Sequence, residues 1–283
     1  VGVAELLAAS PAALIAVCAL FGLVVGSFLN VVILRLPRML ENAWQSEARL
    51  VLEMPAEQGE RLSLLRPASR CPHCGTPIAP WRNIPLLSWL LLRGRAACCG
   101  EPVSLQYPLV EAGAGALAAA CAWRFGFGWE LAAALILVFT LLAAAVIDWN
   151  TQLLPDTLTL PLLWLGLLLN VNGVFAPLSQ AVIGAAAGYL ALWSVFVLFK
   201  LVTGKEGMGY GDFKLLAVLG AWFGWPALPM LVLVASGSGA VVGIGMRISG
   251  RLAAGRAMPF GPFIAAAGVL WLLLPIPPAL VAP

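Results

Sequence analysis

Apolar runs of near-membrane length alternate with short polar breaks along almost the whole chain. Candidate spans lie near 12–34, 105–123, 130–147, 158–175, 180–201, 213–223, 227–246 and 260–281. A helix needs roughly 20 apolar residues to cross the hydrocarbon core. The sixth run is short and meets Trp225-Pro226, so the proline blurs its boundary with the seventh. One long polar stretch, 35–104, separates the first run from the second. The first run is not expected to be a cleavable signal peptide. It lacks a basic start and leads into Gly26-Ser27-Phe28-Leu29-Asn30 without a small-residue cleavage site. The pattern predicts an all-α polytopic membrane protein of about eight transmembrane helices, with a cytoplasmic polar segment between helices 1 and 2.

Composition strengthens this. Of 283 residues, 61% are apolar and 10% charged, and the mean hydropathy is +0.96. A soluble domain carries about a quarter charged residues, so a water-soluble globule and a disordered chain are both excluded. The net charge of +3 is small, and its distribution says more. Nine of the sixteen basic residues, with six acids, lie in 35–104. That mixture is not the one-sided, aromatic-laced patch of a nucleic-acid binder. If 35–104 is cytoplasmic, eight spans leave only Arg124 among the Lys and Arg residues outside. So uneven a split fits the positive-inside rule and predicts periplasmic termini.

The same topology brings three acids to the cytoplasmic face: Asp148 at the end of the third span, Asp156 before the fourth and Asp212 opening the sixth. An acid at membrane depth costs a few kcal/mol or more and is a functional candidate by default. Alone, Asp148 reads equally well as an interfacial helix end. Asp212 sits in Gly207-Met208-Gly209-Tyr210-Gly211-Asp212, where alternate glycines permit close backbone approach. The plainer reading is a flexible loop with a capping Asp. Two paired aspartates share a proton, so one can deprotonate water while the other polarises a peptide carbonyl. Such hydrolysis needs neither metal nor covalent intermediate. Exposed backbone at Gly209 and Gly211 offers an edge for an extended substrate.

Cys71-Pro72-His73-Cys74-Gly75 is followed by Cys98-Cys99-Gly100. A C-x-x-C pair with a second pair about twenty residues on reads as a structural zinc knuckle, and the reducing cytosol disfavours disulfides. Adjacent cysteines rarely ligate one metal, so Cys71, Cys74 and Cys99 lead, with Cys98 or His73 as the fourth ligand. Reduced free thiols are the alternative. Between the pairs, Trp81 through Leu90 reads as an aromatic stretch lying on the interface.

Taken in order, several motifs resemble the prepilin peptidases. They are Gly26 through Pro37, the cysteine knuckle, Asn83 through Gly94, Gln106 through Glu111, Ile147 through Pro161 and Gly209 through Lys214. The resemblance runs from about 20 to 245. It implies a bifunctional enzyme of the bacterial inner membrane. Such an enzyme cuts the basic leader from type IV prepilins and type II secretion pseudopilins at the cytoplasmic face. It then methylates the new N-terminal residue from S-adenosylmethionine. Asp148 and Asp212 match the family's catalytic aspartates, Asp156 a noncatalytic acid, and Gly94 a glycine implicated in methyl transfer. Ala96 stands where the family usually has a third cysteine.

The expected organisation is therefore a first transmembrane helix over 1–34, a cysteine-containing segment linked to methyl transfer over 35–104, and a second transmembrane helix over 105–129. An aspartyl peptidase core over 130–247 and a basic loop with the last helix over 248–283 complete it. Two other function classes compete. A transporter would use Asp148 and Asp212 as cation sites between broken helices, and inverted repeats would favour it. A non-enzymatic assembly subunit would dock partners through the polar segment.

Overall fold

The structure is a computed structural model that describes residues 2–55, 62–71, 73–78, 84–205, 207–250 and 258–274. Glu206, Trp81, Arg82 and Asn83 lie outside the described residues. The chain divides into two compact units, 1–139 and 140–283.

The first unit contains α1 (Val3–Ala9), α2 (Pro11–Val51), α3 (Leu87–Leu91), α4 (Gln106–Phe125) and the start of α5 (Trp129–Thr151). Ser10 caps α2, its hydroxyl accepting from the Ala13 N–H, and Pro11 supplies a first-turn φ that suits a helix start. The first predicted span ends at 34, but α2 continues to Val51 through Pro37. The residues beyond 34 are mostly good helix formers, such as Arg, Leu, Met, Glu and Ala. Their propensity outlasts the one backbone bond that proline removes.

Helices α2 and α4 meet along small residues. A Cβ on Gly22 would stand 2.5 Å from the Ala114 carbonyl oxygen, and one on Gly26 would stand 2.7 Å from Glu111 Cα. The Gly22-x-x-x-Gly26 spacing thus lets two backbones touch, which is how helices associate where lipid removes the hydrophobic drive.

The second unit contains the end of α5, then α6 (Asp156–Asn170), α7 (Leu178–Thr203), α8 (Tyr210–Phe223), α9 (Leu228–Ile248) and α10 (Gly261–Leu273). A 3-10 turn, Trp225–Ala227, separates α8 from α9 where the sequence left that boundary blurred. Helix α8 is the centre of this unit, buried from Asp212 to Phe223 along its whole length bar partial exposure at Lys214. Gly184 and Gly220 bring α7 and α8 into backbone contact. From the other side, Trp222 donates its indole N–H to the Leu162 carbonyl at 2.8 Å. Asn170 donates to the carbonyls of Ala221 and Trp222 and accepts from the N–H groups of Phe175 and Ala176. All four of its hydrogen-bonding positions are filled, so the buried amide carries no desolvation debt.

Among the described residues there is no strand, only two isolated antiparallel bridges, Arg70 with Pro77 and Arg95 with Pro102. Four helical segments, Pro11–Val51, Trp129–Thr151, Leu178–Thr203 and Trp225–Ile248, are long and apolar enough to cross a membrane, and α6 and α10 are shorter apolar helices. Outward-facing Leu20, Leu198, Leu233 and Val241 are all more than 60% exposed. Helices with apolar outer faces and internally satisfied backbones are what a bilayer accepts.

Candidate active site and metal centre

Asp148 and Asp212 are brought together in the second unit, each about 95% buried. Asp148 projects from the last turns of α5. Its Oδ2 accepts the N–H of Gly261, the first residue of α10, at 2.9 Å. A helix start offers free N–H groups and a positive dipole end, so it favours a carboxylate there. Asp212 is the third residue of α8, after the extended cap residue Gly209. The Gly209 backbone hydrogen-bonds its carboxylate, and the Asp212 N–H donates back to the Gly209 carbonyl at 3.2 Å. This resembles a capping box in which the acid at the third position reaches back to the cap.

The two carboxylates repel one another electrostatically. Asp212 Oδ1 is buried and has no hydrogen-bond partner. A buried oxygen left unpaired is costly and calls for a proton, a water or a substrate group. Leu154 is wedged beside the pair. A Cβ on Gly211 would lie 2.5 Å from Leu154 Cβ, and one on Gly261 would lie 3.1 Å from Leu154 Cδ1 and 2.6 Å from Asp148 Oδ2. Only glycine fits at either position without displacing a neighbour.

Asp156 is turned away from this pair. Its two oxygens take the Lys214 ammonium at 2.6 and 2.8 Å on an exposed surface. The Gly209 backbone lies against Asp212. Both its groups serve Asp212, so this glycine holds the acid, and Gly211 gives it room. The sequence reading missed Gly261. Its signal is Phe260-Gly261-Pro262-Phe263 at the mouth of a predicted span, a glycine and a proline that open a helix.

In the first unit, Cys71, Cys74, Cys98 and Cys99 bring their sulfurs within 4.8 Å of one another. Individual separations are 3.2 Å for Cys74–Cys98, 3.8 Å for Cys71–Cys99 and 3.9 Å for Cys98–Cys99. Four sulfurs at about 2.3 Å from a tetrahedral zinc stand about 3.8 Å apart, so the set fits that ion. Of the two candidates for the fourth position, Cys98 joins the cluster and His73 does not, so both adjacent cysteines take part. The reason is a repeated turn. Cys71 and Thr76 are joined as Ala96 and Glu101 are, Gly75 closes on Cys71 as Gly100 closes on Ala96, and each turn ends in a bridge. In that register Ala96 matches Cys71, Cys99 matches Cys74 and Cys98 matches His73. The sulfur missing at 96 is therefore supplied from the tip of the turn.

The thiols share protons unequally. Hydrogen bonds from Thr76, helped by Cys98, lower Cys74 to about 6, and the backbone of Cys74 and His73 lowers Cys71. Accepting partners at Cys74 and Cys71 push Cys98 up to about 12. For Cys99 the Glu101 backbone favours the thiolate, but desolvation and the neighbouring sulfurs outweigh it and raise the thiol.

Gly94 supports the second turn. Its φ is +71°, its N–H and carbonyl bond Trp89 and Val103, and a Cβ there would stand 2.9 Å from the Trp89 ring.

Residues 20–125 match the bacterial peptidase A24 N-terminal domain, and residues 135–244 match the type IV leader peptidase family. A prepilin leader peptidase/N-methyltransferase of Stutzerimonas stutzeri is 55% identical over 270 residues, covering 95% of this chain and 93% of the relative. The protein of that name in Pseudomonas aeruginosa is 52% identical over 270 residues, with coverage of 95% and 93%. That of Burkholderia pseudomallei is 50% identical over 259 residues, with coverage of 90% and 84%. No solved structure matches. Similarity at this level over nearly the whole length, carried by both halves of the chain, means that it belongs to the type IV leader peptidase family, among the prepilin leader peptidase/N-methyltransferases.

Proposed function

We propose that the chain is an inner-membrane aspartic endopeptidase and N-methyltransferase. It removes the leader of type IV prepilins and type II secretion pseudopilins at the cytoplasmic face, with Asp148 and Asp212 as its catalytic pair, and then methylates the new N-terminus. What supports the peptidase reading is two buried carboxylates close enough to feel each other's charge, beside two glycines that admit no side chain. One ionised carboxylate takes a proton from water as the oxygen attacks the scissile carbonyl. The protonated partner donates to the carbonyl oxygen. Collapse of the tetrahedral species breaks the C–N bond, and a proton passes to the leaving amine. Both acids are held at helix starts, so the pair is oriented before substrate arrives. Gly209 and Gly211 position Asp212, and no metal is needed for this step.

Cys71, Cys74, Cys98 and Cys99 would hold zinc with all four positions filled by sulfur. Such an ion is structural, tying the two repeated turns into one unit. Gly94 serves methyl transfer by holding the second turn in shape against Trp89. S-adenosylmethionine, when bound, supplies an electrophilic methyl group. Membrane lipid and apolar pilin helices are the partners, and nucleic acid is not. The division proposed is a first helix and a polar methyl-transfer segment, then a second helix, a peptidase core and a last helix.

The test is leader release from a purified prepilin. Wild type cleaves it, and Asp148→Asn and Asp212→Asn each lose at least about a hundredfold, the scale of acid–base catalysis. Cleavage by either variant at the wild-type rate removes that residue from the pair.

A further inference from the structure

The seam between α2 and α4 carries three polar side chains that neither the aspartate pair nor the cysteine cluster uses: Ser27, Asn30 and Glu111. Glu111 is 8% exposed, and its Oε2 accepts the Leu86 N–H at 2.8 Å. The Ser27 hydroxyl is its second partner. Among the described residues no Lys or Arg pairs with it. Leu86 adopts a φ of +57° in making that bond, a conformation uncommon for leucine and of a kind concentrated at functional sites. Asn30 is 3% exposed. Its Nδ2 donates to the Tyr107 carbonyl at 3.1 Å, and its Oδ1 is buried without a partner.

Holding Leu86 explains one oxygen of Glu111, but an amide would serve as well. Among the described residues this buried carboxylate meets no cation, and Asn30, one helical turn along α2 from its partner Ser27, has an unfilled carbonyl oxygen, so the site is short of a positive, hydrogen-bond-donating guest. A cavity of about 300 Å³ lies beside it, lined by Val24, Ser27, Phe28, Val31 and Pro85. Ser27 touches both the cavity and Glu111, and Pro85 precedes Leu86. Val24 and Phe28 are about half exposed or more, so the cavity wall is continuous with the apolar outer face of α2. The guest it fits has an ammonium head on an apolar body.

We propose that this seam binds the N-terminal amino group of the cleaved pilin for methylation, with Glu111 as its counter-ion and proton acceptor and Asn30 Oδ1 as a second acceptor. The inference rests on the methyltransferase reading of this chain. An α-ammonium titrates near 7.7–8.0 and has no lone pair when protonated. Glu111 takes one proton from it. The freed nitrogen pair forms the N–C bond to the methyl of a sulfonium donor, the C–S bond breaks, and its electrons stay on sulfur as a neutral thioether. The product is a methylated ammonium, and Glu111 returns its proton to water. The first pilin side chain seats among Val24, Phe28 and Val31.

The experiment uses the full-length protein and a synthetic peptide of a mature pilin N-terminus, with a free or an acetylated amine. Binding is measured without methyl donor, and methyl transfer separately. Wild type should prefer the free amine by about tenfold or more, as expected for a desolvated charge pair. Glu111→Gln, whose amide oxygen still accepts from Leu86, should keep the thermal midpoint. It should lose the preference for the free amine and at least about a hundredfold in methyl transfer. Retained preference in Glu111→Gln overturns the proposal. So does a loss of methyl transfer that tracks a fall in thermal midpoint equally in Glu111→Gln and Glu111→Ala, which marks a purely structural cap. If wild type methylates no amine, the methyltransferase reading fails, and the donor-free binding preference still decides the site.

Discussion

Replacing Gly261 by alanine adds one methyl group at the point where α10 begins against Asp148. The built Cβ falls 2.6 Å from Oδ2 and 3.1 Å from Cγ of that acid. Ordinary contact starts at 3.4 Å, so the carboxylate must retreat by about 0.8 Å. Leu154 Cδ1, at 3.1 Å, blocks part of the way. A misplacement near 1 Å costs on the order of a hundredfold in rate, about 2.7 kcal/mol of barrier. The loss should fall on kcat for leader release, because Gly261 aligns the acid and does not hold the substrate. The backbone at 261 is not left-handed, so alanine brings no conformational strain of its own. The assay is leader release followed on a gel under saturating prepilin. Gly245→Ala, where a Cβ meets nothing within 4 Å, is the control. A Gly261→Ala enzyme within about threefold of wild type would refute the argument that this glycine sets the acid.

Gly94→Ser should destabilise the second turn by about 1–2 kcal/mol from its left-handed φ alone and should lower methyl transfer. Adding Trp89→Ala relieves the contact with the ring, so a double variant no better than the single one would rule out that contact as the cause. Zinc should be found at one ion per chain by elemental analysis, and Cys98→Ser should release it while His73→Ala should not. After chelation, Cys74 should alkylate fastest at neutral pH, since its thiolate forms above about 6, and Cys98, raised to about 12, should lag. The rate at Cys74 should fall as pH drops below that midpoint. Asp156→Asn removes an ion pair that is 29% and 53% exposed. It should cost no more than about 1 kcal/mol in thermal unfolding and leave leader release intact.

The apolar runs were readable because lipid imposes a length and a composition that stand out along the chain, and the helices from α4 onward begin close to where those runs do. Asp148 and Asp212 were readable for the same reason, as charges at the ends of such runs. Gly261 was not, since its partner is 113 residues away and no local pattern encodes that contact. Glu111 and Asn30 were hidden likewise, because a single acid or amide in an apolar helix says nothing about the face it shares with another helix. The reach of α2 to Val51 was missed because charged residues mark where a span leaves the bilayer and not where its helix stops. The two turns share Arg, Cys-Gly and Pro at matching positions, which hints at their common register, but that Cys98 makes good the sulfur missing at 96 depends on how the turns pack.

The glycine contact between α7 and α8 makes the second of those helices a lever. Gly220, where it rests on Gly184, lies eight residues from Asp212, or about 12 Å at 1.5 Å per residue. A wedge that tilts α8 by about 5° at that fulcrum swings the acid by about 1 Å, the same displacement that a methyl group causes at Gly261. A side chain added at Gly184 or Gly220 would therefore be felt across that distance at the carboxylate, with no atom of the cleft itself altered.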